Sequence, residues 1–325
     1  MKAIILAGGE GKRLRPLTST IPKVSLPICN KPIIYHLLSS LAKQKIIDSV
    51  VLSLGYLGEK VLNSLSKYQF NLSLNYFFER EPLDTGGATK FAASQIDGDF
   101  FLINGDIICD VDYSDMYTFH KRKKADVTIL TVKVEDIAPF GSIQFDGFFR
   151  VREFREKVEE HRSGFVNGAI YLMNRKSLSY FPPGKCSLEK EVFPLLLSKG
   201  AKIYSFLYFG YWMDVGDRNR YIQIHKDALE GITPLECPTS ICKKEGIEVI
   251  QPILIGENCS LGKGARLGAY AVLGDGVEIG EGAVVEESIV LSGARIGKRS
   301  KVIRSIVGEK AFVADGAIVE ETIVG

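Results

Sequence analysis

Ala3-Ile-Ile-Leu-Ala7-Gly8-Gly9-Glu10-Gly11-Lys12-Arg13-Leu14-Arg15-Pro16-Leu17-Thr18, followed by Ile21-Pro22-Lys23 and Lys31-Pro32, is the stretch from which the rest of the chain is best read. The apolar run Ala3 to Ala7 has the length of a buried parallel strand. It stops abruptly at glycines. A glycine-rich turn after such a strand lets backbone N–H groups come close to an anion. Arg13, Arg15 and Lys23 add positive charge within a few residues, an arrangement suited to a polyphosphate. A P-loop is excluded, because Gly11-Lys12 is followed by Arg13 and no glycine stands five positions before Gly11. A dinucleotide fingerprint is excluded too, because Leu14 stands where the third glycine belongs. Taken alone, the turn could equally be a structural strand-to-loop corner with solvated basic residues.

Outward from that stretch, the first 230 residues alternate between two patterns. Strand-like runs cover Ala3–Ala7, Ser49–Leu54, Ser73–Phe78, Asp99–Ile103 and Val127–Val134. Helix-like segments cover Pro32–Lys45, Leu57–Leu65 and Gly86–Ser94. Strands separated by helices of this length predict βαβ units in an α/β sandwich. Ligands of such folds sit beyond the carboxyl ends of strands. Gly8–Arg13 and Asn104-Gly105-Asp106 both fall there.

From about Val249 the period becomes six. Ile255-Gly, Leu261-Gly, Leu267-Gly, Leu273-Gly and Ile279-Gly follow at strict intervals, with slips near Ile296 and before Val313. This is a hexapeptide repeat, the mark of a parallel β-helix, with the apolar residues inward and the glycines at corners. Residues 231–248 read as a linker between a domain at 1–230 and one at 249–325. All four histidines (His36, His120, His161, His225) precede the repeats, which speaks against a histidine-based acyl transfer in the tail.

Composition excludes other classes. Among 325 residues, 46% are hydrophobic and 25% charged, with a net charge of +2, so bulk electrostatics call for neither nucleic acid nor membrane. No apolar stretch reaches the roughly 18 residues of a membrane span. The six cysteines show no C-x-x-C spacing, so zinc is not expected. Read as scattered thiols, they fit a reducing, cytoplasmic setting.

The full string L-A-G-G-x-G-x-R-L-x-P-L-T with a following P-K resembles the signature of the sugar-1-phosphate nucleotidylyltransferases. It departs at Lys12, where threonine is common, and after Lys23. The resemblance implies a Rossmann-like nucleotidyltransferase α/β/α sandwich followed by a left-handed parallel β-helix. It also implies a reaction in which a sugar-1-phosphate oxygen attacks the α-phosphorus of a nucleoside triphosphate and pyrophosphate leaves. Two anionic reactants must then be held together while charge builds up, which calls for cations and Mg²⁺.

By the same resemblance, Arg13 and Lys23 would clamp the triphosphate, and Leu6, Ala7, Gly8, Gly9 and Gly11 would border the nucleotide. Phe101-Leu-Ile-Asn-Gly-Asp106 resembles an L-x-x-x-G-D metal motif, with Phe101 in place of its leucine, and Trp212-Met-Asp214-Val-Gly216 matches a W-x-D-x-G one, which implies Asp106 and Asp214 as the metal carboxylates. The competing readings are an Asx turn at Asp106 and a helix cap at Asp214. Asp110 and Asp112 read as solvated loop acids. On the sugar side, Phe154-Arg-Glu156-Lys157, Val166-Asn167-Gly-Ala-Ile-Tyr171 and Ser187-Leu-Glu189-Lys-Glu191 resemble family segments. Lys157 would bind the sugar phosphate, and Glu156, Asn167 and Glu189 the hydroxyls. The alternative for Glu189–Glu191 is an exposed helix start.

Glu79-Arg-Glu81-Pro-Leu-Asp84-Thr-Gly86-Gly87 resembles the segment of guanylyltransferases, with Asp84 where the family has glycine. A carboxylate at Glu81 accepts from guanine N1–H and its amino group, whereas glutamine suits a pyrimidine edge. The resemblance therefore favours GTP with mannose-1-phosphate. It leaves open glucose-1-phosphate with dTTP or UTP, a heptose phosphate with GTP, and a non-catalytic regulatory subunit. Intact Arg13, Lys23, Asp106, Lys157 and Asp214 count against the last. Exposed β-helix faces predict a homo-oligomer.

Overall fold

Period-two and all-apolar runs become the strands of one sheet in a computed structural model that describes residues 1–155, 160–240 and 245–325. Its strands are β1 (Lys2–Leu6), β2 (Ser49–Leu54), β3 (Ser73–Phe78), β4 (Phe100–Asn104), β5 (Val127–Val134), β6 (Gly164–Met173) and β7 (Ile203–Tyr208). Their order across the sheet is β7-β5-β6-β4-β1-β2-β3. All neighbours are parallel except β6, which runs antiparallel to both β4 and β5. The central strands β1 and β4 carry Ile4, Ile5, Phe101 and Leu102 fully buried, as strands covered on both faces require.

The helices are α1 (Ile33–Ala42), α2 (Gly58–Leu65), α3 (Asp84–Ala92), α4 (Tyr113–Lys123), α5 (Phe193–Ser198) and α6 (Arg218–Leu229). Helix α3 packs on β1 and β2, and α4 on β5, β6 and β7. Pro32 does not open α1: Lys31–Pro32 pairs antiparallel with Pro27–Ile28 instead. Asp112 is not a solvated loop acid. It caps α4 by accepting the Ser114 and Asp115 amides at 2.7 and 3.1 Å, and Asp110 accepts a hydrogen bond from the Tyr208 hydroxyl.

Contacts divide the chain into two units that differ from the division at 231–248. One holds Met1–Gly9 and Leu37–Trp212, the other Glu10–His36 and Met213–Gly325. The second half of the basic signature thus belongs with the C-terminal region. In that unit, Leu17 lies against the terminal coil, where a Cβ added to Gly308 would fall 3.2 Å from Leu17 Cδ2. One added to Gly325 would fall 2.5 Å from Pro16 Cγ.

The second unit also pairs Cys29 with Cys237 in a disulfide, Cα to Cα 5.4 Å, across 208 residues of sequence. This corrects the expectation of unpaired thiols, and cysteine usage no longer speaks for a reducing compartment. Spacing could not show the bond, because folding alone brings the hairpin and the segment after α6 together. Among the described residues, Cys109, Cys186 and Cys259 are free; Cys242 lies outside them.

The repeats form three parallel sheets, which fits the left-handed β-helix implied by the resemblance. The Ile-Gly glycines have a specific cause. A Cβ on Gly280 would lie 2.6 Å from Lys298 N in the next coil. The corners that need a positive φ use other glycines, such as Gly276 at +66°. The slips in the repeat are shortened coils. Early strands pair 18 positions apart (Glu248 with Arg266), later ones 17 apart (Val284 with Lys301). The lost residue comes from one corner, where Glu287, Arg304 and Glu321 adopt φ of 47°, 44° and 46°. Hydroxyls close that corner: Ser305 N–H donates to Ser288 Oγ at 3.0 Å, and Thr322 N–H to Ser305 Oγ at 3.2 Å.

Three histidines, His36, His120 and His225, are buried and burial lowers the pKa of each, and the last two give the fold its clearest pH dependence. His120 meets Thr128 Oγ1 at 2.8 Å and His225 meets the Tyr221 carbonyl at 2.8 Å. Burial pushes both down to about 4. Above pH 6.5 neither state is protonated, so nothing is lost. Below it the unfolded chain takes up protons that the folded one cannot, down to about pH 4. Stability is expected to fall by about 1.4 kcal/mol per pH unit for each histidine across that window. Urea midpoints at pH 7.5 and 5.5 check this, and His225→Gln should flatten the difference.

Candidate active site

Strand β1 ends beside β4, with Leu6 in register with Asn104, and the Gly105 amide donates to Leu6 O at 2.9 Å. The glycine turn and the Asn-Gly-Asp turn therefore leave the same edge of the sheet. The Ala7 amide is used within the sheet, donating to Ser53 O at 2.8 Å. Gly8 needs to be glycine: a Cβ there would sit 2.9 Å from Glu79 Oε1 and 3.2 Å from Gly55 N. Gly9 faces open space.

Glu79 is a residue that sequence reasoning missed. Its carboxylate accepts from Ser53 Oγ at 3.1 Å and from the Leu83 amide at 3.2 Å. Burial holds its carboxyl above the usual range, against the pull of those two donors. Glu81 is exposed at the bend before Pro82. Asp84 takes φ +57°, the left-handed conformation for which glycine is the ordinary choice. Its short side chain eases this by accepting the Thr85 amide at 2.8 Å. Gly86 and Gly87 are buried in α3, and their amides donate to Cys186 O at 2.8 and 3.2 Å. Side chains there would strike the 184–186 segment.

Asn167 and Glu189 come together through Tyr171. Asn167 Nδ2 donates to Tyr171 Oη at 2.8 Å, and that hydroxyl donates to Glu189 Oε1 at 3.3 Å. Thr85 and Ser187 hydroxyls hold Glu189 Oε2 at 3.0 and 3.1 Å. The segment expected at the base and the one expected at the sugar thus meet at Thr85. Burial pushes the Tyr171 hydroxyl well above its ordinary range, with the Glu189 and Asp106 carboxylates adding to the rise. Asp106 therefore lies within electrostatic reach of this network.

Two local irregularities aim these groups. A shift in register between Asn167 and Tyr171 bulges β6, with Ala169 at φ +57° and its amide on Asn167 Oδ1 at 2.9 Å. The bulge turns Gly168 O toward Trp212 Nε1, 2.9 Å away. Glu189 sits on a π-turn, Leu188–Val192, a wide turn often found at functional sites. Glu191 acts as a helix-start residue, accepting the Ser187 amide at 2.9 Å. Glu156 and Lys157 lie outside the described residues.

In the second unit, Gly11 adopts φ +62°, and a Cβ on it would fall 3.0 Å from Thr18 and 3.1 Å from the Lys23 Cβ. Thr18 Oγ1 donates to Gly11 O at 2.9 Å, which closes the turn. Lys23 thus stands beside the glycine turn that carries Arg13. Lys12 and Arg15 both pair with Glu10, at 3.5 and 3.1 Å. Asp214 is not the cap of α6; Asp217 is, accepting the Arg220 amide at 3.1 Å. Asp214 Oδ1 instead meets Arg220 Nη1 at 2.5 Å.

Among the described residues, no three His, Cys, Asp or Glu side chains gather into a metal cage. Of the two carboxylates expected at a metal, Asp106 belongs to the first unit and Asp214 to the second.

Comparison with known proteins bears on the family. The nucleotidyl transferase family profile matches residues 2–231, and the profile named GMPPB C-terminal domain matches 249–325. A mannose-1-phosphate guanyltransferase of Schizosaccharomyces pombe is 37% identical over 318 residues, 95% of this chain and 86% of that protein. One of Gibberella zeae is 36% identical over 324 residues, with the same two coverages. The crystal structure of HddC from Yersinia pseudotuberculosis complexed with GMP-PN is similar, with a TM-score of 0.63 and 30% identity. That match covers 70% of this chain and 98% of HddC. The chain belongs to the nucleotidyl transferase family, on its sugar-1-phosphate branch.

Proposed function

We propose that this chain transfers a guanylyl group from GTP to mannose-1-phosphate, giving GDP-mannose and pyrophosphate. The observation that carries this reading is end-to-end similarity to proteins named for that activity, at 37% identity across both parts of the chain. The attacking oxygen belongs to a phosphate that is already ionised, so the protein need not supply a general base. Its task is to align two anions and to offset the charge that builds up on the transferred phosphorus.

Arg13 and Lys23 clamp the triphosphate. Leu6, Ala7, Gly8, Gly9 and Gly11 border it, while Gly86 and Gly87 keep α3 close enough to hold the Glu81–Asp84 segment in place. Glu81 accepts from the guanine edge. Asn167 and Glu189 hold sugar hydroxyls, and Glu156 and Lys157 complete that side. Asp106 and Asp214 are the carboxylates that would hold Mg²⁺, which would lend positive charge to the phosphates. Large apolar side chains exposed on the coils, Phe312 and Ile318, favour a homo-oligomer.

Pyrophosphate release with Mg²⁺ tests the reading. GTP, dTTP, UTP and ATP are each paired with mannose-1-phosphate and glucose-1-phosphate. The maximum is expected at GTP with mannose-1-phosphate. A maximum at dTTP or UTP with glucose-1-phosphate would keep the reaction and remove Glu81 from base reading. Silence across the grid from folded protein would overturn the substrate pair.

A further inference from the structure

Arg220 is absent from the motifs that led to the site, yet it is the partner of Asp214. Both side chains are 18% exposed, and Nη1 meets Oδ1 at 2.5 Å. Arg220 Nε also lies 3.7 Å from Asp217 Oδ2. A fourth charged group nearby, after Asp214, Arg220 and Asp217, is Arg13. A Cβ on Gly216 would lie 2.8 Å from Asp214 Oδ2, 2.9 Å from Arg220 Nη1 and 3.2 Å from Arg13 Nη2. Two guanidiniums and one carboxylate thus converge on the same side of Gly216. This also explains the glycine of the W-x-D-x-G pattern, since any side chain there would displace the three groups.

We propose that Arg220 is a second phosphate-binding guanidinium beside Arg13, masked by Asp214 in the resting protein and unmasked when that carboxylate is neutralised. A guanidinium is built for this task, because its planar fork matches phosphate as well as carboxylate. In the partly buried pair, Coulomb attraction is stronger than at an exposed surface, so an incoming anion does not win Arg220 from Asp214 unaided. With a divalent cation held by Asp214, the carboxylate–cation pair would carry a net positive charge, and Arg220 would be released to the nearest phosphate. Cation and phosphate would bind as coupled events through this one side chain.

The inference rests on the reading of this site as one for phosphoryl substrates. Its test uses neither metal nor turnover, so the two can fail separately. Binding of inorganic pyrophosphate is measured by calorimetry in EDTA for the full chain and for Asp214→Asn, Arg220→Gln and the double variant. Asp214→Asn mimics neutralisation. It is expected to tighten pyrophosphate about tenfold, within the range of coupled charged pairs. In the Arg220→Gln background the same change should produce little tightening. Equal tightening in both backgrounds would mean that only a negative charge was removed, and would overturn the proposal. So would no tightening in either. Thermal melts check folding. If the double variant does not fold, Arg220→Lys with Asp214→Asn replaces it, and full tightening with a lysine would overturn the guanidinium role.

Discussion

Asp106→Ala and Asp214→Ala are each expected to lower kcat about a thousandfold or more, the scale for loss of charge stabilisation at a transferring phosphoryl group. Asp106 leaves β4 on the edge where β1 ends, within electrostatic reach of Tyr171. Asp214 faces Arg220 rather than capping α6, so its removal costs no helix cap. The asparagine variants keep shape and remove charge, and should lose nearly as much. Asp112→Ala is the control. It removes the α4 cap, costs about 1 kcal/mol of stability and leaves kcat within about twofold. Pyrophosphate release at saturating substrate, alongside thermal melts, separates these cases. Near-full Mg²⁺-dependent turnover in either alanine variant would remove that carboxylate from the metal role.

The second large effect lies in the tail. Gly280→Val should destabilise the β-helix by about 3 kcal/mol, the upper end for overpacking against immovable atoms. The obstacle is backbone, Lys298 N at 2.6 Å and Gly297 C at 2.7 Å from the new Cβ, and each coil is fixed by the hydrogen bonds of its neighbours. Gly276→Ala serves as the contrast. No atom lies within 4 Å of its Cβ, and its φ is +66°. Its cost is conformational, about 1 kcal/mol. Because coils depend mainly on adjacent coils, the loss at Gly280 should appear as early hydrogen exchange near 278–298. Identical urea midpoints for the valine variant and the parent would refute the close-approach argument.

Much of the architecture was legible because short runs rich in apolar and aromatic residues leave a clear signal, in the buried Val127–Val134 and in the largely exposed edge strand Ser73–Phe78 alike. Ser49–Leu54, Ser73–Phe78 and Val127–Val134 are strands with the bounds their apolar runs suggest. The hexapeptide glycines announced a coil. What escaped has a common physical cause, dependence on partners far away in sequence. Strand β6 hid behind its bulge at Asn167–Tyr171, where glycine and a left-handed alanine break the alternation. Glu79 looked like any loop acid until Gly8 and Ser53 were seen beside it. Arg220 had no motif to mark it. Asp84 was visible as a departure from glycine, and the left-handed backbone that explains it was not. The slips in the repeat could be counted, but only the stacked Ser288, Ser305 and Thr322 show how a shorter coil is closed.

The seat of Pro16 and Leu17 against Gly325 and Gly308 bears on how such a chain can be inherited. A recombination event that cut within 231–248 would exchange what looks like a detachable cassette, but it would leave behind the recipient surface at 10–36. The incoming tail would then meet a foreign loop, the one that carries Arg13 and Lys23. Lineages that swapped tails freely would have to re-fit that surface each time. The two segments are therefore expected to drift as one evolutionary unit, even though the whole of Leu37–Trp212 lies between them in the sequence.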